Sequence, residues 1–457
     1  MICLGIGAAR AGAPAIIKAR IMVVASEKNF FFTNTMLKYN IVIEYNKLAR
    51  RRRDSMKNFK QRAQSVVSPV LGMYFDDFEV KGGKGSYLFG VDGKKYLDFA
   101  TGIACCVTGH CHPKVVAAIK RQAEKLLHVC IGIAYYEPYV QLAEEIQKIV
   151  PIEKAQTFLC QSGSEAIEAA IKLAKYTTKK PGIIAFQGGF HGRTLGALSI
   201  TTSKMKYREG YEPLLPEVYI APFDLAVVKG SIESHTDRVA AVIIEPILGE
   251  GGYQVVEKNF LVGLRSLCDQ YGLLLIFDEV QTGLGHTGKW FACQHAGVKP
   301  DIIALAKGIA SGLPLGACVA KAEVMAKWSP GAHGGTFGGN PVNCAAAIAT
   351  IKAIKQEKML GNATKLGAYL KKELQKLQKQ FPSIKEVRGM GLMLGVDFGK
   401  SEIVKKIINF CLSRQLVLIS TGGDGTVIRF IPPLNVTRRE IESALKIFRA
   451  ALENASL

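Results

Sequence analysis

Short apolar runs alternate with amphipathic stretches along most of this chain. Near-continuous apolar segments occur at 182–186, 239–246, 273–280 and 301–305, with a shorter one at 157–160. Around them, residues 114–126, 137–149 and 164–176 and the stretch NFLVGLRSLCDQYG repeat their apolar positions with the helical period. Strands that are apolar at every position are buried on both faces. Their alternation with helices therefore predicts an α/β fold with a mostly parallel sheet covered by helices. Glycine-punctuated short strands come first. In GSYLFGVDGKKYLDF, Val91-Asp92-Gly93-Lys94 predicts a hairpin turn in which Asp-Gly supplies a positive-φ pair. Residues 341–380 predict helix nearly throughout, and the rest returns to mixed strand and helix through RGMGLMLGVDF, EIVKKIINFCLSR, GTVIRFIPP and RREIESALKIFRAALEN. We expect a large domain over 115–340. A smaller α+β domain would be built from both flanks, 56–114 and 341–457.

The length of 457 residues exceeds what one hydrophobic core organises, in keeping with two domains. No uncharged apolar run reaches the ~18 residues of a spanning helix, which excludes a polytopic membrane protein. Eleven cysteines without a CxxC pair read as reduced thiols of an intracellular protein. His110-Cys111-His112 lacks matching ligands at set spacing elsewhere, so no metal is expected. The formal charge is +21, and about a third of it lies in residues 1–55, which end in four consecutive arginines. That stretch reads as an organellar presequence, as a basic arm for nucleic acid or membrane, or as sequence upstream of a start at Met56. We take the last, which makes the protein cytoplasmic; a presequence would make it mitochondrial. The remaining surplus of +14 suits anionic cofactors or substrates, and neither nucleic acid nor membrane is expected as a partner.

In a sheet of this kind ligands gather at the carboxyl ends of the strands, and four polar clusters fall there. In QSGSEAIEAAIKLAK, Ser162-Gly163-Ser164-Glu165 opens a helix whose free N–H groups suit a phosphate; the same spacing also makes a capping box. In LLLIFDEVQTG, Asp278 and Glu279 end an apolar strand, where a carboxylate can hold a protonated ring nitrogen or a metal, or is simply a surface acid. In DIIALAKGIASGLPLGA, Lys307 follows a strand directly. Kept in a low-dielectric cleft it becomes a nucleophilic amine, although most lysines are merely solvated. In FHGRTLGALS, Phe190 can cover a planar ring and Arg193 can grip a carboxylate; otherwise one is core and the other surface. GLGHTGKW imitates a nucleotide-binding loop, but Trp290 stands where that loop needs a hydroxyl for Mg²⁺.

These clusters, in this order and with Asp278 and Lys307 29 residues apart, resemble the class III (omega) aminotransferases, nearest the 4-aminobutyrate and acetylornithine groups. The likeness runs from about Pro69 to Ala451, through YLDFATGIA, GHCHPKVV, SGSEA, FHGRT, IIEP, GEGG, FDEVQTG, AKGIASGLPLGA, HGGTFGGNP, RGMGLMLGVDF and IRFIPPL. It implies a fold-type I enzyme that uses pyridoxal 5'-phosphate, working as a homodimer. By this resemblance Lys307 forms the Schiff base and shuttles the proton, and Asp278 keeps the pyridine nitrogen protonated. Val280 and Phe190 sandwich the ring, and Gln281 meets its phenolic oxygen. Gly163 and Ser164 bind the phosphate, with Thr336 reaching it from the neighbouring subunit. His191 and Glu245 complete the cofactor's surroundings. The resemblance further implies that Arg193 holds the carboxylate distant from the reacting amine, while Arg429 holds the α-carboxylate of glutamate or 2-oxoglutarate. Glu250 pairs with Arg429 when the donor lacks that group. Ile103 stands where the ornithine enzymes carry tyrosine, which argues against ornithine. Leu248 and His286 depart from the family's usual Gln and Arg. The expected reaction is ping-pong transamination from an ω-amino acid, foremost 4-aminobutyrate, to 2-oxoglutarate. Acetylornithine as donor, an aminomutase and a dialkylglycine decarboxylase are the alternatives.

Overall fold

The computed structural model describes residues 59–455; the basic stretch 1–55 lies outside the described residues. The chain divides into two units between Asp77 and Phe78, each taken by itself. In the first, helix Phe59–Val66 buries no residue. A solvent-exposed ion pair, Lys60–Asp77 at 2.8 Å, joins its start to the unit's end and contributes little.

The second unit is built on a seven-stranded sheet. In chain order, strands β1 (Val80–Lys84), β2 (Tyr87–Gly90) and β3 (Lys95–Asp98) form an antiparallel meander. The central sheet contains β4 (Ala155–Cys160), β5 (Gly182–Phe186), β6 (Val218–Ala221), β7 (Val239–Ile244), β10 (Leu274–Asp278), β11 (Ile302–Leu305) and β12 (Gly316–Lys321). Between β7 and β10 lies a two-stranded ribbon of β8 (Ile247–Leu248) and β9 (Gln254–Val255). The central order is β4-β12-β11-β10-β7-β5-β6, and β12 alone runs against the others. Alternate side chains of its inner strands feed two separate cores. Ile184, Val242, Ile244, Leu275, Phe277 and Ile303 point one way, into a core that helix Pro341–Gln356 joins through Cys344, Ala347 and Ile351. Ile183, Ala241, Ile243, Ile276 and Ile302 point the other way, against Ala166, Ala170 and Leu173 of helix Gly163–Thr178. Each fully buried Ile, Leu or Phe contributes roughly 1.5–3 kcal/mol. Burial on both faces is why these strands lack polar alternation.

Two strands of the central sheet are absent from the sequence-based expectation. β6 is a half-buried edge strand with little apolar signal. β12 lies inside what reads as the tail of the Lys307 loop. It enters the sheet between β11 and β4 because Gly316 has no side chain: a Cβ there would lie 2.3 Å from the Ser162 carbonyl oxygen. The hairpin turn forms where expected but not with a positive-φ pair. Only Gly93 takes a positive φ, of 85°, while the Asp92 carboxylate accepts the Lys94 N–H and the Tyr96 hydroxyl. The helix expected over 341–380 breaks into Pro341–Gln356 and Met359–Gln380, because Lys358 adopts the left-handed conformation, with φ 51°.

Toward the C-terminus, β13 (Glu386–Met390), β14 (Met393–Asp397), β16 (Ile419–Thr421) and β17 (Val427–Phe430) form an antiparallel sheet ordered β13-β14-β17-β16. Strand β15 (Leu416–Val417) pairs parallel with β3, so the two flanks of the chain share a sheet. Among the described residues no helix is long and apolar enough to cross a membrane. The free thiols there include Cys105, Cys106 and Cys111; His110 is paired with Asp98 and His112 with Glu357.

His286 is fully buried where Gly391 and Leu392 pack on it, its carbonyl accepting the Leu392 N–H at 2.8 Å. Burial pushes its imidazole down to about 4, with the Pro432 backbone opposing. The folded value lies below that of the unfolded chain, so unfolding takes up a proton between those two values and stability falls as pH drops below ~6.5. This residue should cost about 2 kcal/mol of stability by pH 5. Denaturant unfolding at pH 7 and pH 5 should show that loss in the wild type and not in His286→Asn. Equal pH dependence in the two proteins would clear His286 of the effect.

Candidate active site

A cavity of about 380 Å³ opens at the carboxyl edge of the central sheet. The loops that follow β4, β5, β7, β10 and β11 all reach it, so residues far apart in sequence converge there. After β4, Ser162 caps helix Gly163–Thr178 by accepting the Glu165 N–H at 3.2 Å, and the Glu165 carboxylate accepts the Gln161 N–H at 2.7 Å. Cap and site are therefore one feature. The capping side chains fix the helix start, while Ser162, Gly163 and Ser164 face the cavity. Gly163 has to be glycine, since a Cβ would lie 2.9 Å from Val280 Cγ1 across the opening.

Asp278 ends β10 at 4% exposure. Its Oδ1 accepts the Val280 N–H at 3.0 Å, and its Oδ2 lies 2.8 Å from His191 Nδ1. The His191 backbone N–H donates to Thr201 Oγ1 at 2.9 Å, which anchors the loop that carries the ring. Burial opposes the His191 imidazolium, yet the hydrogen bond and charge of Asp278 outweigh it and raise the ring above its usual range. Glu245, just past β7, accepts the Phe190 N–H at 2.8 Å and the Gly249 N–H at 2.9 Å, holding two loops together. Burial, reinforced by the Asp278 charge, pushes it up to about 7, with His191 opposing. The neighbouring Glu279 faces away from the cavity. It is fully buried and pins the next loop through Thr282, Ala292 and Cys293.

Lys307 opens a tight 3-10 turn, Lys307–Ala310, with φ 45°. A left-handed non-glycine residue costs about 1–2 kcal/mol, and such strain concentrates at functional sites. Gly308 lets the turn close, since a Cβ there would meet Val107 at 2.4 Å. The cavity wall near Lys307 includes Cys105, whose thiol is pushed up by burial and drawn back by the Lys307 charge. Cys105 is a lining residue that sequence reasoning missed, while Gln161 and the Pro314-Leu315 pair lie inside the quoted segments but were given no role there.

Gly163, Ser164, Phe190, His191, Glu245, Asp278, Val280, Gln281 and Lys307 thus surround one cavity. Ile103, Arg193, Glu250, Thr336 and Arg429 stand outside its wall. Arg429, fully buried, donates from Nη1 to Glu250 at 2.7 Å and from Nη2 to the Ser420 carbonyl at 2.9 Å. Burial works against the Glu250 carboxylate, but Arg429 and then Lys307 hold it below its usual range, which places the pair within electrostatic reach of Lys307. Arg193 is exposed, its guanidinium 4.1 Å above the Tyr207 ring, and Phe190 meets that ring edge-on at 5.8 Å. Tyr207 therefore braces both, a role that nothing in SKMKYR announces. Ile103 is exposed, in a run from Thr101 to Ala104 with every φ positive. Thr336 is exposed on a glycine-rich loop.

The donor set suits a planar, phosphate-bearing ring. The start of a 16-residue helix offers N–H groups to an anion. Val280 and Phe190 provide apolar faces, and Gln281 Oε1 is buried without a hydrogen-bond partner. The sequence profile of the family described as Aminotransferase class-III matches residues 73–452. An acetylornithine aminotransferase of Methanopyrus kandleri is 44% identical over 371 residues, covering 81% of this chain and 93% of the relative. A 5-aminovalerate aminotransferase of Pseudomonas aeruginosa is 41% identical, covering 79% and 90%. Among solved structures, an ornithine aminotransferase of Toxoplasma gondii, described with pyridoxal phosphate at partial occupancy in its active site, superposes with a TM-score of 0.82 at 30% identity, covering 88% of this chain and 96% of that one. The chain therefore belongs to the class III aminotransferases, fold-type I enzymes that use pyridoxal phosphate to pass an amine from an amino acid to a keto acid.

Proposed function

We propose that this enzyme takes the terminal amine of an ω-amino acid and passes it to 2-oxoglutarate in two alternating half-reactions. 4-Aminobutyrate is the donor we put first, giving succinate semialdehyde and glutamate. The observation that carries this reading is the Glu250–Arg429 pair, 2.7 Å apart, with Arg429 fully buried and Glu250 partly so. A lone buried guanidinium would be costly and would misplace a donor with no carboxylate on its reacting carbon. With Glu250 closed on it, Arg429 is satisfied while such a donor reacts. When Glu250 turns away, Arg429 is free to grip the α-carboxylate of the keto acid.

Pyridoxal phosphate, when bound, supplies the electron-withdrawing ring that the amine transfer needs. Gly163 and Ser164 would hold its phosphate at the helix start, and Val280 and Phe190 would cover its two faces. Gln281 would donate to its phenolic oxygen, and Asp278, backed by His191, would keep a proton at the ring nitrogen. Lys307 would move the proton from the substrate carbon. Thr336, exposed and outside its own chain's cavity, fits a contribution to a second copy's site, with a homodimer as the working unit.

Arg193 would hold the distal carboxylate, its plane set by stacking on Tyr207. Arg193→Ala should raise KM for both carboxylate substrates by about 10- to 100-fold, the worth of a charged hydrogen-bonded pair. Steady-state kinetics check this, and an unchanged KM would reassign the carboxylate grip.

Acetylornithine is the second reading, favoured by relatives of that name at 44% identity. It too reacts at a terminal amine. Single donors added to the purified enzyme without keto acid separate the two through the cofactor's visible band. Bleaching by 4-aminobutyrate but not N-acetylornithine would support the first reading, and the reverse would support the second. No bleaching by any donor would sink ω-amine transfer.

A further inference from the structure

Outside the catalytic cavity lies a second hollow, of about 690 Å³, between segment 202–206, the start of helix Ser401–Ser413 and the turn 423–425. Lys204, Lys206, Lys405, Ser203 and Ser401 line it, with Asp424 as the one acid in its wall. Two observations point to the same ligand chemistry. First, three ammonium groups face one carboxylate. Lys204 is half-buried, with the Tyr207 ring 5.8 Å away and no hydrogen-bond acceptor among the described residues. Burial pushes its ammonium down, and Lys206, Arg429 and Arg193 add to this, while Glu250 opposes. Second, Ser203 is only 7% exposed and its Oγ has no hydrogen-bond partner; an unsatisfied buried hydroxyl costs about 1–3 kcal/mol. The start of helix Ser401–Ser413 at the same wall adds no free donor, because Glu402 in its first turn already takes its own N–H and the Ser401 hydroxyl.

We propose that this hollow is a second anion site, distinct from the cofactor's, that binds a phosphoryl dianion. Lysines act as point charges converging from several directions, and with the unpaired Ser203 hydroxyl they match a tetrahedral oxyanion with many acceptors. A planar carboxylate is better served by the fork of an arginine, and no arginine lines this hollow. The phosphoryl group belongs either to inorganic phosphate or to a small organic phosphate.

Calorimetric titration of the holoenzyme, whose cofactor already fills the other phosphate site, tests this at constant ionic strength in chloride. Inorganic phosphate, glycerol 3-phosphate and succinate are the three probes. We expect saturable binding of at least one phosphate probe, one per chain, with the part of succinate binding that Lys405→Glu removes at least tenfold weaker. Lys405→Glu and Lys206→Glu, both exposed positions, should each weaken it at least tenfold while leaving the cofactor's absorption band unchanged. Binding by glycerol 3-phosphate alone would assign the site to an organic phosphate, and binding by inorganic phosphate alone to the free ion. The proposal falls if neither phosphate probe saturates, if succinate binding as tight as theirs is lost in Lys405→Glu, or if either variant binds phosphate like wild type.

Discussion

Lys307→Ala should lose every trace of covalently held cofactor after borohydride reduction, and its turnover should drop by at least about 10³-fold. The expectation rests on placement. Lys307 stands two residues past β11, on a turn that Gly308 lets close, and lines the cavity together with Asp278, Val280 and Gln281. Mass analysis of the reduced, digested protein provides the check. In the wild type the added mass should lie on the peptide that carries Lys307, and in the variant it should be absent, with circular dichroism confirming a retained fold. Lys307→Arg should behave like the alanine variant, because a guanidinium keeps the charge but does not act as a nucleophilic amine. An adduct that survives in Lys307→Ala would move the role to another amine.

Much of the large sheet was legible because its strands are buried on both faces and so carry unbroken apolar runs, as VAAVII in β7 does. The site was legible for a related reason. A polar residue directly after such a run, such as Glu245, Asp278 or Lys307, falls at the sheet's carboxyl edge whatever the details of the loops. What stayed hidden depends on contacts between distant segments. Gly163, Gly308 and Gly316 are visible as glycines, but not as points where Val280, Val107 and the Ser162 carbonyl press in. The break between Gln356 and Met359 carries no glycine or proline, so the left-handed Lys358 left no mark. Tyr207 was passed over because its value lies in where the 202–208 segment folds back, beside Phe190 and Arg193. The Glu250–Arg429 pair joins positions 179 residues apart, and only the family resemblance suggested it beforehand.

Asp278→Asn should retain the fold and the cofactor yet lose about 10²- to 10⁴-fold in turnover. The substitution is nearly isosteric, and its amide oxygen can still accept the Val280 N–H that Oδ1 now takes at 3.0 Å. What it removes is charge at a site only 4% exposed, where charge acts in a low dielectric. Two consequences follow from the neighbours. His191 loses the carboxylate that holds its ring up against burial, so its imidazole should fall and become neutral at working pH. Glu245 loses the repulsion that Asp278 adds to its burial, so its carboxyl should come down from about 7. An amide cannot keep a proton on a ring nitrogen as a carboxylate does, so breaking the substrate's carbon–hydrogen bond should become the slow step. Single-turnover kinetics with 4-aminobutyrate deuterated at the reacting carbon would register this as a larger isotope effect than in the wild type. A variant with reduced turnover but an unchanged isotope effect would mean that Asp278 mainly positions the cofactor. Near-normal turnover would remove the carboxylate from the chemistry altogether and leave the His191–Asp278 pair as a structural brace for the loop after β5.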